Sequence, residues 1–332
     1  MKMAWYVLFK LLLMLLVVGV SAWGLMALYF QLSGGLWRIT AMLGLGVASV
    51  AALYAVMRGA AWPALPLALS LLVLLAWWQT IVPSNDRPWA ADVDRVSYGQ
   101  AQGDVVTLHN VRDFIWRSET DFDERWQTYQ YDLEQLRSVD MFLSYWMGPA
   151  IAHTLVSFGF EDGRHVVFSV EIRKEKNERF SALGGFFKQF EMTLIAAQES
   201  DIIRTRSNAR GEDVYMYSVS MPKPAMKALF MSYVQQGNAL REHPRFYNTL
   251  TANCTTIVYD MVTRIVDGLP WDWRILASGY LPDYVFAQDA LAKGYSLDEL
   301  RQLGHINARA LSQGEGEDYS QLIRRGVPMV KP

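Results

Sequence analysis

The sequence predicts an α+β protein in which three transmembrane helices precede a soluble domain built from an antiparallel sheet packed on helices. The apolar residues that make up 52% of this 332-residue chain crowd into the first eighty-odd positions. Strand-like patterns fill the first half of the remaining chain. Long helical patterns follow them, and this order of strands and then helices is typical of α+β folds.

Three N-terminal stretches are long and apolar enough to cross a bilayer. They cover residues 11–30, 39–57 and 59–83, and each is close to the roughly 20 residues that span a hydrocarbon core of about 30 Å. A cleaved signal peptide is the alternative for the first stretch. That alternative is disfavoured because the stretch is too long, lacks a small-residue cleavage site and is followed at once by two more apolar spans. Residues 1–83 are therefore predicted to form three transmembrane helices.

The few basic residues near the span ends predict the orientation. Lys2 and Lys10 precede the first span and Arg58 separates the second from the third, whereas Arg38 is the only one between the first and second. Because basic residues prefer the cytoplasmic side, the N-terminus is expected inside and the chain beyond Pro83 outside. This predicts a multi-pass protein of the bacterial inner membrane whose soluble domain lies in the periplasm.

The rest of the chain divides into three predicted parts. Residues 84–106 are polar and interrupted by Pro and Gly, which indicates a juxtamembrane linker. Residues 107–270 form the periplasmic domain, and residues 271–332 form a helical extension that covers it. Charges of both signs nearly balance, so the chain offers no basic surface for nucleic acid. The sequence contains no metal-ligand spacing and no Gly-rich phosphate loop, so no metal, nucleotide or other cofactor is expected.

Several segments of the domain have clear strand or helix patterns. Strand-like runs occupy residues 107–117, 128–131, 152–160, 165–174 and 213–221, and the run at 133–141 is ambiguous. The pair Asp162-Gly163 separates two of these runs and predicts a hairpin with a two-residue turn. Helices are predicted over residues 222–240 and over the apolar-periodic run that starts at Cys254.

The only cysteine of the chain, Cys254, lies in the stretch TLTANCTTIVYDMV. A lone buried cysteine ordinarily behaves as a small apolar residue. In an oxidising periplasm, however, a single thiol has no internal disulfide partner and is potentially reactive. The capping residues Asn253, Thr255 and Thr256 place Cys254 in the first turn of a helix. Unpaired N–H groups and the positive end of the helix dipole favour a thiolate there and can also bind an oxyanion.

A nucleophilic cysteine needs a base, and His153 is the best placed of the five histidines because it starts a predicted strand among small and apolar residues. The alternative is a histidine satisfied within the core. Glu171 is the expected orienting group, since an acidic residue in an apolar strand is costly unless paired. A two-residue turn would point Glu171 away from His153 unless a one-residue bulge intervened. Glu171 could instead pair with a structural arginine such as Arg173 or Arg117. Asn253 is expected to position the turn or to help hold an oxyanion.

The motifs HTLVSFGFEDGRH and, later, NC at the head of a helix resemble the circularly permuted papain-like enzymes. That group includes the lecithin:retinol acyltransferase-like proteins and relatives of the NlpC/P60 peptidases, in which the histidine strand precedes the cysteine helix. Residues 110–266 more closely resemble the Lnb-type N-terminal periplasmic domain family. The motifs that support this are NVRDFIWRSETDFDERW, FSVEIRKE, RGEDVYMYSV and RFYNTLTANCTTIVYDM.

This resemblance implies a papain-like core with Cys254 as nucleophile and His153 as base. By analogy with the family's namesake, it also implies transfer of a fatty acyl group from phospholipid to the amino terminus of a bacterial lipoprotein. Membrane lipids and lipoproteins are therefore expected partners. The chain departs from the namesake's order, because its apolar spans precede the domain, and this difference leaves the substrate open.

Three functions are compatible with the sequence. The leading hypothesis is a membrane-tethered cysteine acyltransferase or lipid hydrolase that acts through a thioester intermediate. The second is a cysteine peptidase or amidase that acts on peptidoglycan peptides. The third is a non-catalytic envelope module with a vestigial site.

Overall fold

The computed structural model describes residues 2–60, 62–314 and 317–330. The described chain forms two compact units. The first holds the N-terminal helices up to Ser84 together with Phe180–Phe190, and the second holds Asn85–Arg179 and the chain from Glu191 onward. Parts of two predicted regions lie outside the described residues, namely positions 1 and 61 of the transmembrane region and positions 315, 316, 331 and 332 of the extension.

The first unit contains three long apolar helices, which confirms the prediction for the N-terminal region. They are α1 (Lys2–Gln31), α2 (Leu36–Arg58) and α3 (Leu65–Thr80). Length and composition allow each to cross a membrane, the third together with the short 3₁₀ turn Trp62–Ala64 before it. The third helix starts later than predicted. A proline lies in its first turn, where the missing N–H would have had no helical partner.

The second unit is built around one large sheet. The strands are β1 (Tyr98–Gln102), β2 (Val105–Arg112), β3 (Ile115–Trp116), β4 (Phe122–Asp123), β5 (Trp126–Asp132), β6 (Leu136–Tyr145), β7 (Ala152–Phe160), β8 (His165–Arg173), β9 (Glu191–Ala197) and β10 (Asp213–Val219). The spatial order is β1-β2-β9-β8-β7-β6-β10, with β5 also paired to β2, while β3 and β4 form a separate ribbon. The strands predicted at 152–160 and 165–174 are β7 and β8.

The sheet is mixed, whereas the sequence predicted an antiparallel one. Strands β2 and β9 run parallel, with Val111 opposite Ala196. The other pairs of the large sheet are antiparallel. The parallel pair was missed because β9 (EMTLIAA) is buried at every position, and such a strand shows no alternation of apolar and polar residues.

Helices cover both faces of this sheet, which confirms the α+β class. They are α4 (Glu199–Arg204), α5 (Lys223–Glu242), α6 (Thr256–Thr263), α7 (Leu281–Ala287), α8 (Leu297–Gly304), α9 (Asn307–Leu311) and α10 (Tyr319–Arg324). Helices α5 and α6 share a buried apolar cluster with one face of the sheet. Helices of the C-terminal extension share clusters with the other face. Strand β7, which carries His153, is buried at all nine positions because it lies between these two layers.

The stretch 84–106, predicted as a juxtamembrane linker, is folded into the second unit from Asn85 onward. Strand β1 lies within it and pairs with β2, placing Tyr98 opposite His109. Trp89, earlier in the stretch, is only 3% exposed, and Arg173 lies over its ring at 4.5 Å. The stretch also contains this edge strand, whose last three residues are exposed.

Candidate active site

Cys254 lies in the turn that leads into α6, two residues before the regular helix begins. The Asn253 side chain builds this turn. Its Oδ1 atom accepts the backbone N–H groups of Thr255 and Thr256, both at 2.9 Å, and its Nδ2 atom donates to the Thr249 carbonyl at 2.8 Å. Asn253 therefore orders the turn before the helix, and its contacts fix the backbone on both sides of the cysteine. Cys254 was predicted in the first turn of the helix, whereas the regular helix begins at Thr256 with Thr255 as its N-cap.

The thiol of Cys254 is shielded from solvent and surrounded by hydrogen-bonding groups. The residue is 7% exposed. The backbone of Thr154 on β7 acts to lower the pKa of this thiol, and the backbone of Cys254 acts in the same direction on the pKa of the Tyr247 hydroxyl. The hydroxyls of Thr154 and Thr255 are 3.1 Å apart and join β7 to the cysteine turn.

His153, near the start of β7, joins the thiol to an acidic strand residue. It interacts with the Cys254 thiol, because each of the two groups shifts the pKa of the other. Its Nε2 atom lies 2.7 Å from Ser169 Oγ and 3.0 Å from Glu171 Oε1, both on β8. Because Nε2 already faces these two oxygens, Nδ1 is the ring nitrogen left for the sulfur. The fold thus brings the three predicted residues together, with His153 between Cys254 and Glu171.

The β7–β8 hairpin has a three-residue turn rather than the predicted two-residue turn. The Phe160 N–H donates to the Arg164 carbonyl at 3.0 Å, which leaves residues 161–163 as the loop. Gly163 has φ 83°, a left-handed conformation that glycine adopts without strain. This combination is the usual form of a three-residue hairpin loop that ends in a bulge.

The extra loop residue reverses the predicted direction of Glu171. The ladder pairs Leu155 with Ser169, so the same register continued by two residues puts His153 opposite Glu171. Side chains directly opposite each other on antiparallel strands lie on the same face of the sheet. The predicted register, which pointed Glu171 away from His153, was therefore wrong by one residue, and the bulge considered as the exception is present.

A buried arginine that the sequence did not single out completes the charge network. Arg206 donates to Glu171 Oε1 at 3.0 Å and to Glu212 Oε2 at 3.1 Å, and Ser144 on β6 also donates to Glu212. Neither Arg173 nor Arg117 pairs with Glu171, since Arg173 binds backbone carbonyls and Arg117 binds two exposed aspartates. Arg206 lies in the π-helical turn Thr205–Ala209 after α4. The sequence around Arg206 has no apolar periodicity that could have indicated this position.

The electrostatics of the site favour an imidazolium–thiolate pair. Burial opposes the charged form of His153, but the Glu171 carboxylate and the Cys254 sulfur raise the pKa of His153 to about 9. Burial likewise opposes the Cys254 thiolate, but His153 and the Thr154 N–H bring the pKa of the thiol below its ordinary value. Glu171 is also buried, yet His153 and Arg206 hold the pKa of its carboxyl well below the usual range. These shifts favour the charged forms of Glu171 and His153 and move the titration of the Cys254 thiol toward lower pH.

This arrangement suits nucleophilic chemistry better than metal binding. Within residues 2–60, 62–314 and 317–330, no three His, Cys, Asp or Glu side chains converge as a metal site. A thiol, a hydrogen-bonded imidazole and a carboxylate behind it form the arrangement of an activated cysteine nucleophile.

Comparison with known families adds independent information about this part of the chain. Residues 122–279 match the family model of the Lnb N-terminal periplasmic domain. Over these residues the chain is similar to that family. No curated protein and no solved structure gave a match in the corresponding searches.

The matched region includes the whole candidate site. The match begins in β4 and ends at Gly279, so it contains His153, Glu171, Arg206 and Cys254. It leaves out β1 and β2 at one edge of the sheet and helices α7 to α10 on one face. Together with the three N-terminal helices that can span a membrane, the family match indicates a membrane-anchored protein with a periplasmic domain.

Proposed function

We propose that the protein is a membrane-tethered cysteine acyltransferase or lipid hydrolase of the bacterial inner membrane. The observation that carries this proposal is that His153 interacts with both Cys254 and Glu171. Arg206 forms a second ion pair with Glu171. An imidazole that contacts a thiol on one side and a carboxylate on the other matches the roles of base and orienting group. The circularly permuted papain-like core implied by the sequence motifs is part of this proposal.

In the proposed first step, His153 Nδ1 takes the proton of the Cys254 thiol. The thiolate attacks the ester carbonyl of a phospholipid, forming a carbon–sulfur bond and a tetrahedral oxyanion. Collapse of this intermediate breaks the ester carbon–oxygen bond. The imidazolium returns the proton to the leaving alkoxide, which leaves a lysophospholipid and an acyl thioester on Cys254.

The second step resolves the thioester. An amine, with the amino terminus of a lipoprotein as the favoured acceptor, attacks the thioester carbonyl while His153 accepts its proton. Expulsion of the Cys254 thiolate then gives an amide and restores the site. Water in place of the amine would give a free fatty acid, which is the hydrolase form of the same chemistry.

Candidate oxyanion donors lie beside the thiol. The N–H groups of Thr255 and Thr256 are already used by Asn253, so Asn253 acts here as a positioning residue. The Cys254 backbone N–H acts on the Tyr247 hydroxyl oxygen, so it is engaged as well, whereas that hydroxyl retains its own hydrogen. The Tyr247 hydroxyl is therefore the donor proposed for the developing charge.

Exposed apolar side chains near the start of β7 favour a lipid over a peptide substrate. The loop before His153 exposes Trp146, Met147 and Ile151, and a neighbouring segment exposes Trp271 and Trp273. The two segments are joined where the Gly279 N–H donates to the Ala150 carbonyl at 3.0 Å. Exposed apolar groups gathered on one side of a domain mark binding surfaces for apolar partners.

The test is to trap the acyl-enzyme on the full-length protein. The protein is reconstituted in phosphatidylethanolamine and phosphatidylglycerol vesicles without an acceptor and examined by intact-mass spectrometry. We expect a mass increase of one fatty acyl chain that neutral hydroxylamine removes and that Cys254→Ser eliminates. Muropeptides are tested in parallel. A peptide adduct or muropeptide cleavage without any lipid adduct would replace the lipid proposal by the peptidase alternative, and no adduct with either substrate would contradict catalysis.

A further inference from the structure

The segment Phe180–Phe190, here called the interfacial segment, connects β8 to β9 but groups with the N-terminal helices. A connection between two strands of a soluble sheet ordinarily stays with that sheet, so its contacts with apolar helices need an explanation.

One group of contacts caps the C-terminal end of α3. Lys188 Nζ donates to the carbonyls of Trp78 and Ile81, at 2.8 and 3.1 Å. It also lies 4.9 Å from the centre of the Trp78 ring. The last carbonyls of a helix have no partner within the helix, and a cation placed there also interacts favourably with the helix dipole.

A second group of contacts lies at the C-terminal end of α1. The Phe187 ring stacks on Phe30, with ring centres 5.6 Å apart. The side chain of Gln31, the last residue of α1, donates to the Phe187 carbonyl at 2.7 Å. Spans 1 and 3 cross in the same direction, so both of these ends leave the bilayer on the same side. If these helices cross a bilayer, the interfacial segment beside both ends would lie at the boundary between lipid and water.

The interfacial segment has a defined turn structure and still exposes large apolar side chains. The Ser181 hydroxyl accepts the Gly184 N–H at 3.0 Å, and the Gly184 carbonyl accepts the Phe187 N–H at 2.9 Å. On this framework Leu183 and Phe186 are 58% and 42% exposed. Phe180, at the start of the segment, is 54% exposed.

We propose that the interfacial segment is a membrane-docking element that inserts Phe180, Leu183 and Phe186 into the phospholipid boundary beside the ends of α1 and α3. The occupant of this apolar surface is the bilayer, because the surface continues directly from helices whose ends lie at that boundary. Elements of this kind sit about 5–10 Å into the region between head groups and acyl chains. Trp78, next to the Lys188 contact, has the side chain typical of that depth.

The segment lies on the connection between two strands of the candidate site. Residues 174–179 separate it from β8, which holds Ser169 and Glu171. Its C-terminal end leads directly into β9, where Thr193 pairs with Glu171. This inference does not depend on the proposed chemistry, since it concerns only where the segment lies.

The experiment uses the single cysteine of the chain. Cys254→Ser gives a cysteine-free protein, into which Leu183→Cys or Phe186→Cys is introduced, labelled with bimane and placed in nanodiscs of phosphatidylethanolamine and phosphatidylglycerol. Val47→Cys, at the middle of α2 and 71% exposed, is the control for deep lipid. Asp298→Cys, whose side chain is 94% exposed, is the control for water.

We expect the probes at positions 183 and 186 to lose fluorescence to lipids with a doxyl group near the head group. Lipids that carry the doxyl deep in the chain should affect them less, and the probe at position 47 should show the opposite order. Aqueous iodide should quench the probe at position 298 and leave positions 183 and 186 largely protected. Iodide quenching at 183 and 186 equal to that at 298 would overturn the proposal. Protection from both lipid and aqueous quenchers would also overturn it, because it would show that protein covers the surface.

Discussion

Replacing Glu171 by glutamine is expected to slow acylation of Cys254 by a factor of about 10² to 10⁴, the usual contribution of a positioned acid–base pair. The carboxylate is the main group that raises the pKa of His153, so its loss lowers this pKa and disfavours the imidazolium. The same carboxylate also repels the thiolate, but the effect of His153 on the pKa of Cys254 is larger. The variant should therefore have a smaller fraction of Cys254 in the thiolate form and a poorly oriented His153 ring.

The measurement is the burst of p-nitrophenol released from a p-nitrophenyl fatty ester by the full-length protein in detergent. Glu175→Gln is the matched control, because Glu175 is the next acidic residue of the chain and pairs with the half-buried Arg87 at 3.2 Å. That variant should retain the wild-type burst rate. A burst rate for Glu171→Gln within twofold of wild type, in a folded protein, would remove Glu171 from the site.

Arg324→Ala is expected to destabilise the second unit by about 3–5 kcal/mol, because it leaves two buried carboxylates without their cation. Arg324 donates to both oxygens of Glu199, at 2.6 and 2.7 Å, and to Asp140 at 2.8 Å. Both carboxyl side chains are 0% exposed. Burial raises the pKa of Asp140 despite Arg324, whereas Arg324 and its other neighbours outweigh burial at Glu199 and lower its pKa to about 2.

Urea-dependent pulse proteolysis of the full-length protein in detergent measures this change. Arg325→Ala is the control, because the neighbouring Arg325 is 64% exposed and pairs with Glu317 at 3.1 Å. An exposed pair of this kind contributes about 0–1 kcal/mol. If Arg324→Ala unfolds at the same urea concentration as Arg325→Ala, the C-terminal helix does not anchor the fold through this cluster.

The sequence predicted the elements that hold the candidate site better than it predicted how they are aligned. Strand β7 matched its predicted bounds, because a continuous β-branched and aromatic run that ends at Asp-Gly is a strong signal. The alignment with β8 was off by one residue, since Asp-Gly occurs in both two-residue and three-residue hairpin loops. That one residue decides whether Glu171 faces His153.

Other parts could not be read from local patterns. Arg206 reaches the site through a π-helical turn, a rare conformation that no hydrophobic period indicates. Strand β1 is an edge strand with three exposed polar or small residues at its end, so its composition resembles a linker. The interfacial segment joins the N-terminal helices through contacts more than a hundred residues apart in sequence, and such pairings leave no trace in sequence periodicity.

The pH dependence of Cys254 alkylation tests the central claim, that this thiol is an activated nucleophile, most directly. Iodoacetamide reacts with the thiolate, and the chain has no second cysteine to complicate the assay. Because His153 brings the pKa of Cys254 below its ordinary value, wild-type labelling should stay fast at pH values below about 8.5, where a free thiol slows. In His153→Ala, burial still raises the pKa of Cys254 but the imidazolium no longer lowers it. The pH profile of labelling should therefore move to higher pH. The Cys254→Ser variant should not be labelled. If wild-type Cys254 instead resists alkylation at every pH until urea unfolds the protein, it is a buried apolar residue and the account is contradicted.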